Sequence, residues 1–133
     1  MKSNRLMVVS FDALSTTDAT RILLNCENFS SLVKNGAFVK HVSSVFVTNT
    51  YPVHTSIITG CYPYKHKIFD NTFPAPGDNS PDWHWFSRDI KTITLFDVAK
   101  KNGKRVANVM WPVTAKADIS YNVPEIFANR IWK

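Results

Sequence analysis

The chain has 133 residues, of which 44% are hydrophobic and 20% charged, and its 16 lysines and arginines exceed its 10 aspartates and glutamates. This length and composition are typical of one globular domain and exclude an intrinsically disordered or collagen-like chain. The net charge of +6 comes from basic residues scattered along the sequence. Scattered charge indicates a solvated surface, so we expect no nucleic-acid partner.

Three further features bear on where the protein resides. No apolar run approaches the roughly 20 residues of a membrane-spanning helix, so we expect no membrane partner. The basic N-terminus precedes only four apolar residues, Leu6 to Val9, which is too short for a secretory signal. Cys26 and Cys61 match neither a disulfide scaffold nor a metal-binding spacing. The sequence therefore predicts a cytoplasmic protein with reduced thiols.

The first third of the chain predicts two strands separated by two helices. Arg5 to Phe11 is an unbroken apolar run, typical of a strand that is buried on both faces of a parallel sheet. Helical patterns follow around Thr17 to Asn25 and around Glu27 to Asn35, and Gly36 is expected to end the second helix. Ala37 to Phe46 then predicts the next strand.

The middle of the chain predicts a short helix and a long loop. Pro52 suits the first turn of a helix and Gly60 suits the position after its end, so a helix is expected from about Tyr51 to Thr59. The segment from Cys61 to Pro81 contains four prolines and one glycine, residues that interrupt regular secondary structure. It therefore predicts a long surface loop without regular elements.

The last third predicts one more helix and one more strand. Apolar residues recur on one helical face between Thr92 and Asn102, and Gly103 is expected to end that helix. Arg105 to Trp111 predicts a strand, whereas residues 112–133 show no periodicity. The alternation of strands and helices predicts an α/β fold with a parallel sheet, in a single domain over residues 1–133.

Asp12 is a candidate metal ligand. Ligands of open parallel sheets bind at the carboxyl ends of the strands, and Asp12 directly follows the first predicted strand. A carboxylate at that place can bind a metal ion, or it can cap the turn that follows. Position alone leaves both interpretations open.

Thr50 is a candidate nucleophile. It precedes Tyr51 and Pro52 at the start of the short helix, where an anion meets backbone donors and the positive end of the helix dipole. The alternative is an ordinary N-cap threonine. A hydroxyl attacks only after its proton is removed, which a metal held by Asp12 would assist.

These residues carry a resemblance to a known family. The segment TNTYPVHTSIITGCYP, residues 48–63, with His66, Ile68 and Asn71 after it, resembles the nucleophile block of type I phosphodiesterases/nucleotide pyrophosphatases. That family belongs to the alkaline phosphatase superfamily. Three further segments extend the resemblance over nearly the whole chain: Val8 to Asp12, with Ala13 where a glycine is common, Trp111-Pro112, and Thr114 to Ile126.

The resemblance implies a fold, a site and a reaction. The fold would be the N-terminal portion of a parallel-sheet, alkaline-phosphatase-like α/β domain. Asp12 would be a zinc ligand, Thr50 would be both nucleophile and ligand, and Asn71 would donate a hydrogen bond to a substrate phosphate oxygen. Two divalent ions, Zn²⁺ by resemblance, would serve the intact enzyme. A small phosphate diester or nucleotide would be hydrolysed through a phosphothreonine intermediate.

The chain departs from the family in its metal ligands. The family's remaining aspartate and histidine ligands would lie after Lys133, and Asp12 with Thr50 cannot fill two shells of about four ligands. We therefore expect the N-terminal piece of a longer enzyme, with absent or incomplete metal sites and no activity alone. We also expect the exposed surface of such a truncated domain to promote self-association.

The histidines have non-catalytic interpretations. His41 is expected on a strand, and His54 and His66 are expected to pack or form hydrogen bonds within the resembling block. His84 is weakly supported as an additional ligand.

Two questions stay open at this point: the role of an aromatic cluster and the functional class of the protein. The aromatic cluster Trp83-His84-Trp85-Phe86 is either a wall for base stacking or an anchor that holds a loop. The protein itself is alternatively a non-catalytic phosphate- or nucleotide-binding module. Another superfamily hydrolase, acting on phosphomonoesters, phosphonates or sulfate esters, is the other alternative.

Overall fold

A computed structural model of the chain describes residues 5–126, apart from the side chains of Leu23 and Leu24. The chain divides into two compact units, one up to Ser43 and one from Ser44 onward. Over the described residues, no helix combines the length and the apolar character needed to cross a membrane.

The first unit contains helices α1 (Thr16–Asn25) and α2 (Glu27–Asn35), which confirms both predicted helices. Helix α1 begins after Ser15, whose hydroxyl oxygen accepts a hydrogen bond from a backbone N–H of the first turn. Helix α2 ends at Gly36 without a left-handed conformation. A Cβ at Gly36 would lie 2.9 Å from a carbonyl oxygen of the last turn, so close packing favours glycine here.

The two strands predicted in the first third of the chain were wrong. Neither Arg5 to Phe11 nor Ala37 to Phe46 forms a strand in the structure. A strand requires a partner that completes its hydrogen-bond ladder, and within the described residues neither segment has one. The apolar side chains of the first segment are instead exposed, with Leu6 at 73% and Phe11 at 66%.

The second unit begins with helices α3 (Thr50–Thr59) and α4 (Pro63–His66). Helix α3 confirms the predicted helix to within one residue. It ends at Gly60, whose φ of 63° is the left-handed conformation that glycine adopts without strain. Helix α4 corrects the expectation that Cys61 to Pro81 holds no regular element, because its first residue is a proline that starts a single turn.

Helix α5 (Leu95–Lys101) confirms the last predicted helix over a shorter range. A capping box defines its start: the Thr94 hydroxyl oxygen accepts from the Asp97 N–H at 3.2 Å, and the Asp97 carboxylate accepts from the Thr94 N–H at 2.8 Å. Gly103 follows in the left-handed conformation.

Strands β1 (Ala107–Val109) and β2 (Tyr121–Val123) pair in parallel, with Asn108 opposite Asn122. Strand β1 lies within the predicted strand, and the parallel α/β pairing is confirmed. Its partner is different from the expected one, because β2 lies in the segment where no element was predicted. The sheet of the described residues therefore has these two strands.

A buried polar network holds the connection between the two strands. The Asn108 amide nitrogen donates to the Thr114 hydroxyl at 2.9 Å and to the Asn122 amide oxygen at 2.7 Å. The Asn108 oxygen accepts from the Trp111 N–H at 3.1 Å. Because buried polar groups need partners, this network fixes the loop that carries Trp111, whose indole N–H donates to the His54 carbonyl in α3 at 3.3 Å.

The hydrophobic core of the second unit surrounds α3. Tyr51 and Ile58 of this helix are buried together with residues from the loops and turns that follow it: Ile68, Trp85, Ile90, Trp111, Val113 and Ala115. The helix that carries the candidate nucleophile is therefore the most firmly packed element of this unit.

Candidate active site at the start of helix α3

Thr50 is the first residue of α3, and Asn49 is its N-cap. The interpretation of Thr50 as an ordinary N-cap residue was therefore wrong. The first N–H groups of a helix have no acceptor within it, and the positive end of the helix dipole lies there. Thr50 thus lies at an end of the helix that favours negative charge.

Asn71 lies at this same helix end. Its side-chain oxygen accepts a hydrogen bond from the Tyr51 backbone N–H at 2.9 Å, across 20 residues of sequence. Because only the oxygen of an amide can accept from an N–H, this bond fixes the orientation of the amide. The nitrogen of the same group carries two donors directed away from the Tyr51 N–H.

Asp70 adds a second connection beside the first. One of its carboxylate oxygens accepts from the Asn49 side-chain amide and from the Asn71 backbone N–H, both at 2.7 Å. Asn49 therefore uses its side chain to bind the loop rather than to cap its own helix. Together the two connections tie residues 70–71 to the start of α3.

Two of the three predicted site residues, Thr50 and Asn71, thus meet at one helix end. Asp12 lies in the first unit, where its carboxylate accepts from the Ala13 N–H at 3.0 Å. This contact to the next residue does not decide between the two interpretations, and the ligand role of Asp12 stays a prediction. Ala13 has a φ of 56°, a left-handed conformation that glycine adopts without strain. This gives a physical reason why glycine is common at this position in the family that the sequence resembles.

His54 lies in α3 one turn after Thr50, and its ring contacts the backbone of the first turn. Its Nδ1 lies 2.8 Å from the Thr50 carbonyl oxygen, so Nδ1 carries the proton and donates. Its ring meets the Trp111 ring edge-to-face with centroids 5.0 Å apart. The packing and hydrogen-bonding interpretation of His54 is confirmed.

His66 is fully buried and forms hydrogen bonds through both ring nitrogens. Nδ1 accepts from the Ile68 backbone N–H at 3.1 Å, so the proton lies on Nε2, 2.9 Å from the Ser56 hydroxyl oxygen. Burial lowers the pKa of His66 and favours this neutral form. His66 is therefore a structural link between α3 and α4, as predicted.

The aromatic cluster acts as an anchor. Trp83 and Trp85 stack with centroids 5.4 Å apart, and Tyr51 meets both rings edge-to-face. Tyr51 and Trp85 belong to the buried core, and burial, with a smaller effect of the Glu125 carboxylate, raises the pKa of Tyr51. Of the two interpretations of this cluster, the loop anchor is confirmed.

Sequence reasoning missed the surroundings of His84. Its Nδ1 lies 3.5 Å from a carboxylate oxygen of Asp89, and its ring lies 3.9 Å from that of Phe73. Burial lowers the pKa of His84, whereas the charges of Asp89 and Asp70 act in the opposite direction. Its position between two tryptophans indicated burial, but nothing in the sequence indicated the Asp89 contact. His41 is exposed and lies on no strand, contrary to expectation.

A sequence profile of the type I phosphodiesterase / nucleotide pyrophosphatase family matches residues 6–133. The chain belongs to this family. The resemblance carried by the block around Thr50 is thereby confirmed. The two-stranded parallel α/β unit is consistent with part of the family fold.

Individual relatives agree with the family match. The bis(5'-adenosyl)-triphosphatase enpp4 of Mus musculus is 30% identical over 145 residues, covering 96% of this chain and 30% of the mouse protein. The Homo sapiens ENPP4 protein of the same name is 32% identical over 121 residues, covering 83% of this chain and 25% of the human protein. Human ectonucleotide pyrophosphatase/phosphodiesterase family member 5 is 33% identical over 120 residues, covering 83% and 24%. The chain thus spans less than a third of these relatives.

The metal chemistry that the family resemblance implies has few donors here. Among residues 5–126 no group of three or more histidine, cysteine, aspartate or glutamate side chains could hold an ion. Cys26 and Cys61 are both free thiols. Asp12 and Thr50 offer oxygen donors, but by themselves they do not make a complete metal centre.

Proposed function

We propose that the intact protein is a hydrolase of phosphodiester or pyrophosphate bonds, with Thr50 as nucleophile and Asn71 as a donor to the substrate phosphate. The observation that carries this proposal is the hydrogen bond from the Tyr51 N–H to Asn71, which brings the amide to the helix end where Thr50 lies. Membership of the phosphodiesterase family supports the reaction class.

The chemistry follows from this arrangement. The start of α3 favours a phosphate group through the positive end of its dipole. The Thr50 hydroxyl loses its proton to solvent and its oxygen attacks phosphorus, the bond to one ester oxygen breaks and that alcohol leaves, and a phosphothreonine that still carries the second ester group forms. The Asn71 amide nitrogen donates to a phosphoryl oxygen while negative charge grows on it. Water then hydrolyses the phosphothreonine and restores Thr50.

Metal ions belong to this proposal. Two divalent ions, Zn²⁺ by resemblance, would serve the intact enzyme, with Asp12 and Thr50 as the ligands from the described residues. Such an ion, when bound, lowers the pKa of a coordinated hydroxyl and offsets charge on the phosphate. Because these two residues cannot complete the shells, we propose that residues 1–133 form the N-terminal part of one catalytic domain and are inactive alone.

The relatives inform the proposed substrate. The mouse and human relatives are named as bis(5'-adenosyl)-triphosphatases, which supports a small nucleotide-like substrate for this chain as well. Another relative is named as an ectonucleotide enzyme, and this lends no support to the cytoplasmic location expected from the sequence. Cell fractionation of the intact protein would decide its location.

The test is the replacement Thr50→Ala in the intact, metal-loaded protein, with bis-p-nitrophenyl phosphate as a diester probe. We expect kcat to fall by about 10³-fold or more, because loss of a nucleophile removes the covalent route. Thr59→Ala at the other end of α3 is the matched control, since that hydroxyl donates to the Thr55 carbonyl and accepts from the Cys61 N–H, both away from the helix start. Turnover near the wild-type level in the Thr50 variant would refute the assignment.

The same assay separates the alternatives. Preference for p-nitrophenyl phosphate would favour a phosphomonoesterase of the superfamily. Nucleotide binding without any turnover by the wild type would favour the non-catalytic module. Mass spectrometry of trapped protein would detect a phosphoryl group that retains one p-nitrophenyl ester on the peptide that contains Thr50.

A further inference from the structure

The loop that presents Asn71 is joined to a second segment on its far side. The His84 backbone N–H donates to the Asn71 backbone carbonyl at 3.0 Å, and the Phe73 backbone N–H donates to the Asp82 backbone carbonyl at 2.8 Å. These two bonds enclose an antiparallel bridge between the residues that lie between them in each segment. The position of Asn71 therefore depends on where residues 82–84 are held.

The His84 ring fixes that second segment. Only 6% of His84 is exposed, its ring lies against Phe73, and its Nδ1 lies 3.5 Å from Asp89 in the single 3₁₀ turn of residues 87–89. The two facing atoms are inaccessible to solvent, and within the described part of the chain neither forms another hydrogen bond. Each of these buried polar atoms thus has the other as its partner, although the distance is long for a hydrogen bond.

We propose that the His84–Asp89 pair is a positioning unit that holds the Asn71 amide in place for phosphate, an inference that rests on the proposed function. Removal of His84 Nδ1 leaves the inaccessible Oδ2 atom of the half-buried Asp89 without its nearest polar neighbour, so the turn and the bridge must shift to hydrate that oxygen. A shift of about 1 Å at a group that binds the transition state can cost about 10²-fold in rate.

The competing possibility is that Asn71 needs no such support. Asp70 and the Tyr51 N–H already hold its backbone and its side-chain oxygen from the helix side. If these contacts suffice, changes at His84 alter the stability of the chain but leave the Asn71 amide where it is.

Four variants separate these possibilities. His84→Phe keeps a ring against Phe73 but provides no donor for Asp89. His84→Asn keeps a donor where Nδ1 lies but has no ring. Asp82→Asn is the matched control, because the exposed Asp82 contributes its backbone carbonyl, not its side chain, to the bridge. Asp89→Asn, a neutral variant of the same size, covers the case in which His84→Phe does not fold.

The first measurement uses NMR on the 133-residue chain and needs no activity. We expect hydrogen exchange of the Tyr51 N–H to rise about tenfold in His84→Phe, or in Asp89→Asn where His84→Phe does not fold, with altered shifts of the Asn71 side-chain amide. His84→Asn restores most of the protection, and Asp82→Asn resembles wild type. Unchanged exchange and unchanged Asn71 shifts in the folded variants would overturn the proposal.

The second measurement uses the intact, metal-loaded protein. We expect His84→Phe to lower kcat by about 10- to 100-fold with KM nearly unchanged, because the Asn71 donor matters most when charge builds on phosphate. His84→Asn should recover kcat, which a purely structural role would not predict. A wild-type protein without diesterase activity would reject the proposed function, and the NMR result would still decide whether the pair positions Asn71.

Discussion

The replacement Asn71→Asp separates the two parts that Asn71 plays at the start of α3. The carboxylate has the size of the amide and keeps an oxygen to accept the Tyr51 N–H now bound at 2.9 Å. It replaces the amide donors with negative charge. The helix dipole favours that charge by about 0.3–1 kcal/mol, whereas the neighbouring Asp70 opposes it by a similar amount at an exposed site.

The expected stability change is therefore small, within about 1 kcal/mol, while activity should fall at least 10²-fold because a donor to phosphate becomes a repelling charge. Asn71→Ala provides the contrast. It removes the acceptor of the Tyr51 N–H at a partly buried helix end and should cost about 1–3 kcal/mol in unfolding free energy.

Urea unfolding of the 133-residue chain, followed by tryptophan fluorescence, measures the first quantity, and kcat/KM of the intact protein measures the second. An aspartate variant as unstable as the alanine variant would show that the Tyr51–Asn71 bond does not hold the loop. An aspartate variant that keeps wild-type activity would show that the amide does not donate to the substrate.

Three other predictions use the same chain. Burial lowers the pKa of His66 below its ordinary 6.5, so as pH falls the unfolded chain binds the proton before the folded chain does. The contribution of neutral His66 to the free energy of unfolding is therefore fully present above about pH 6.5. It is lost as pH falls toward the pKa of the folded state. His66→Asn keeps an acceptor for the Ile68 N–H, and its unfolding free energy should fall less between about pH 7 and about pH 5; an equal fall in both proteins would contradict this. Thr94→Ala should cost about 1 kcal/mol in urea unfolding by removing the capping box, while Thr94→Ser should not; equal stability of the two variants would refute the cap. The exposed apolar run from Leu6 to Val9 should make sedimentation depend on concentration, and a monomer at every concentration would count against it.

The helices could be predicted from the sequence because their start and stop signals are local. Gly60 and the Thr94–Asp97 pair each act within one turn of the helix end that they define. The strands could be predicted only in part, since a strand exists only where a partner pairs with it: β1 lies within the predicted strand Arg105 to Trp111, whereas β2 was missed. The apolar run of Arg5 to Phe11 has no partner among the described residues, whereas the three-residue β2 is paired and held by the Asn108–Asn122 hydrogen bond.

The site could be predicted only in part for a similar reason. The family resemblance identified Thr50 and Asn71, but it gave no indication that the Asn71 oxygen is bound to the helix backbone. That bond joins residues 20 positions apart, and no local pattern reports it. The contact between His84 and Asp89 could not be predicted from the sequence either, because it depends on how a loop and a 3₁₀ turn pack against each other.

Tyr51 connects the core of the second unit to the chemistry proposed for it. Its side chain is buried against Trp83 and Trp85, while its backbone N–H holds Asn71. The residue that follows Thr50 is thus fixed by packing on one side and by a hydrogen bond on the other. A backbone fixed in this way would hold Thr50, the proposed nucleophile, before substrate arrives, so that less ordering entropy would be lost in the proposed attack.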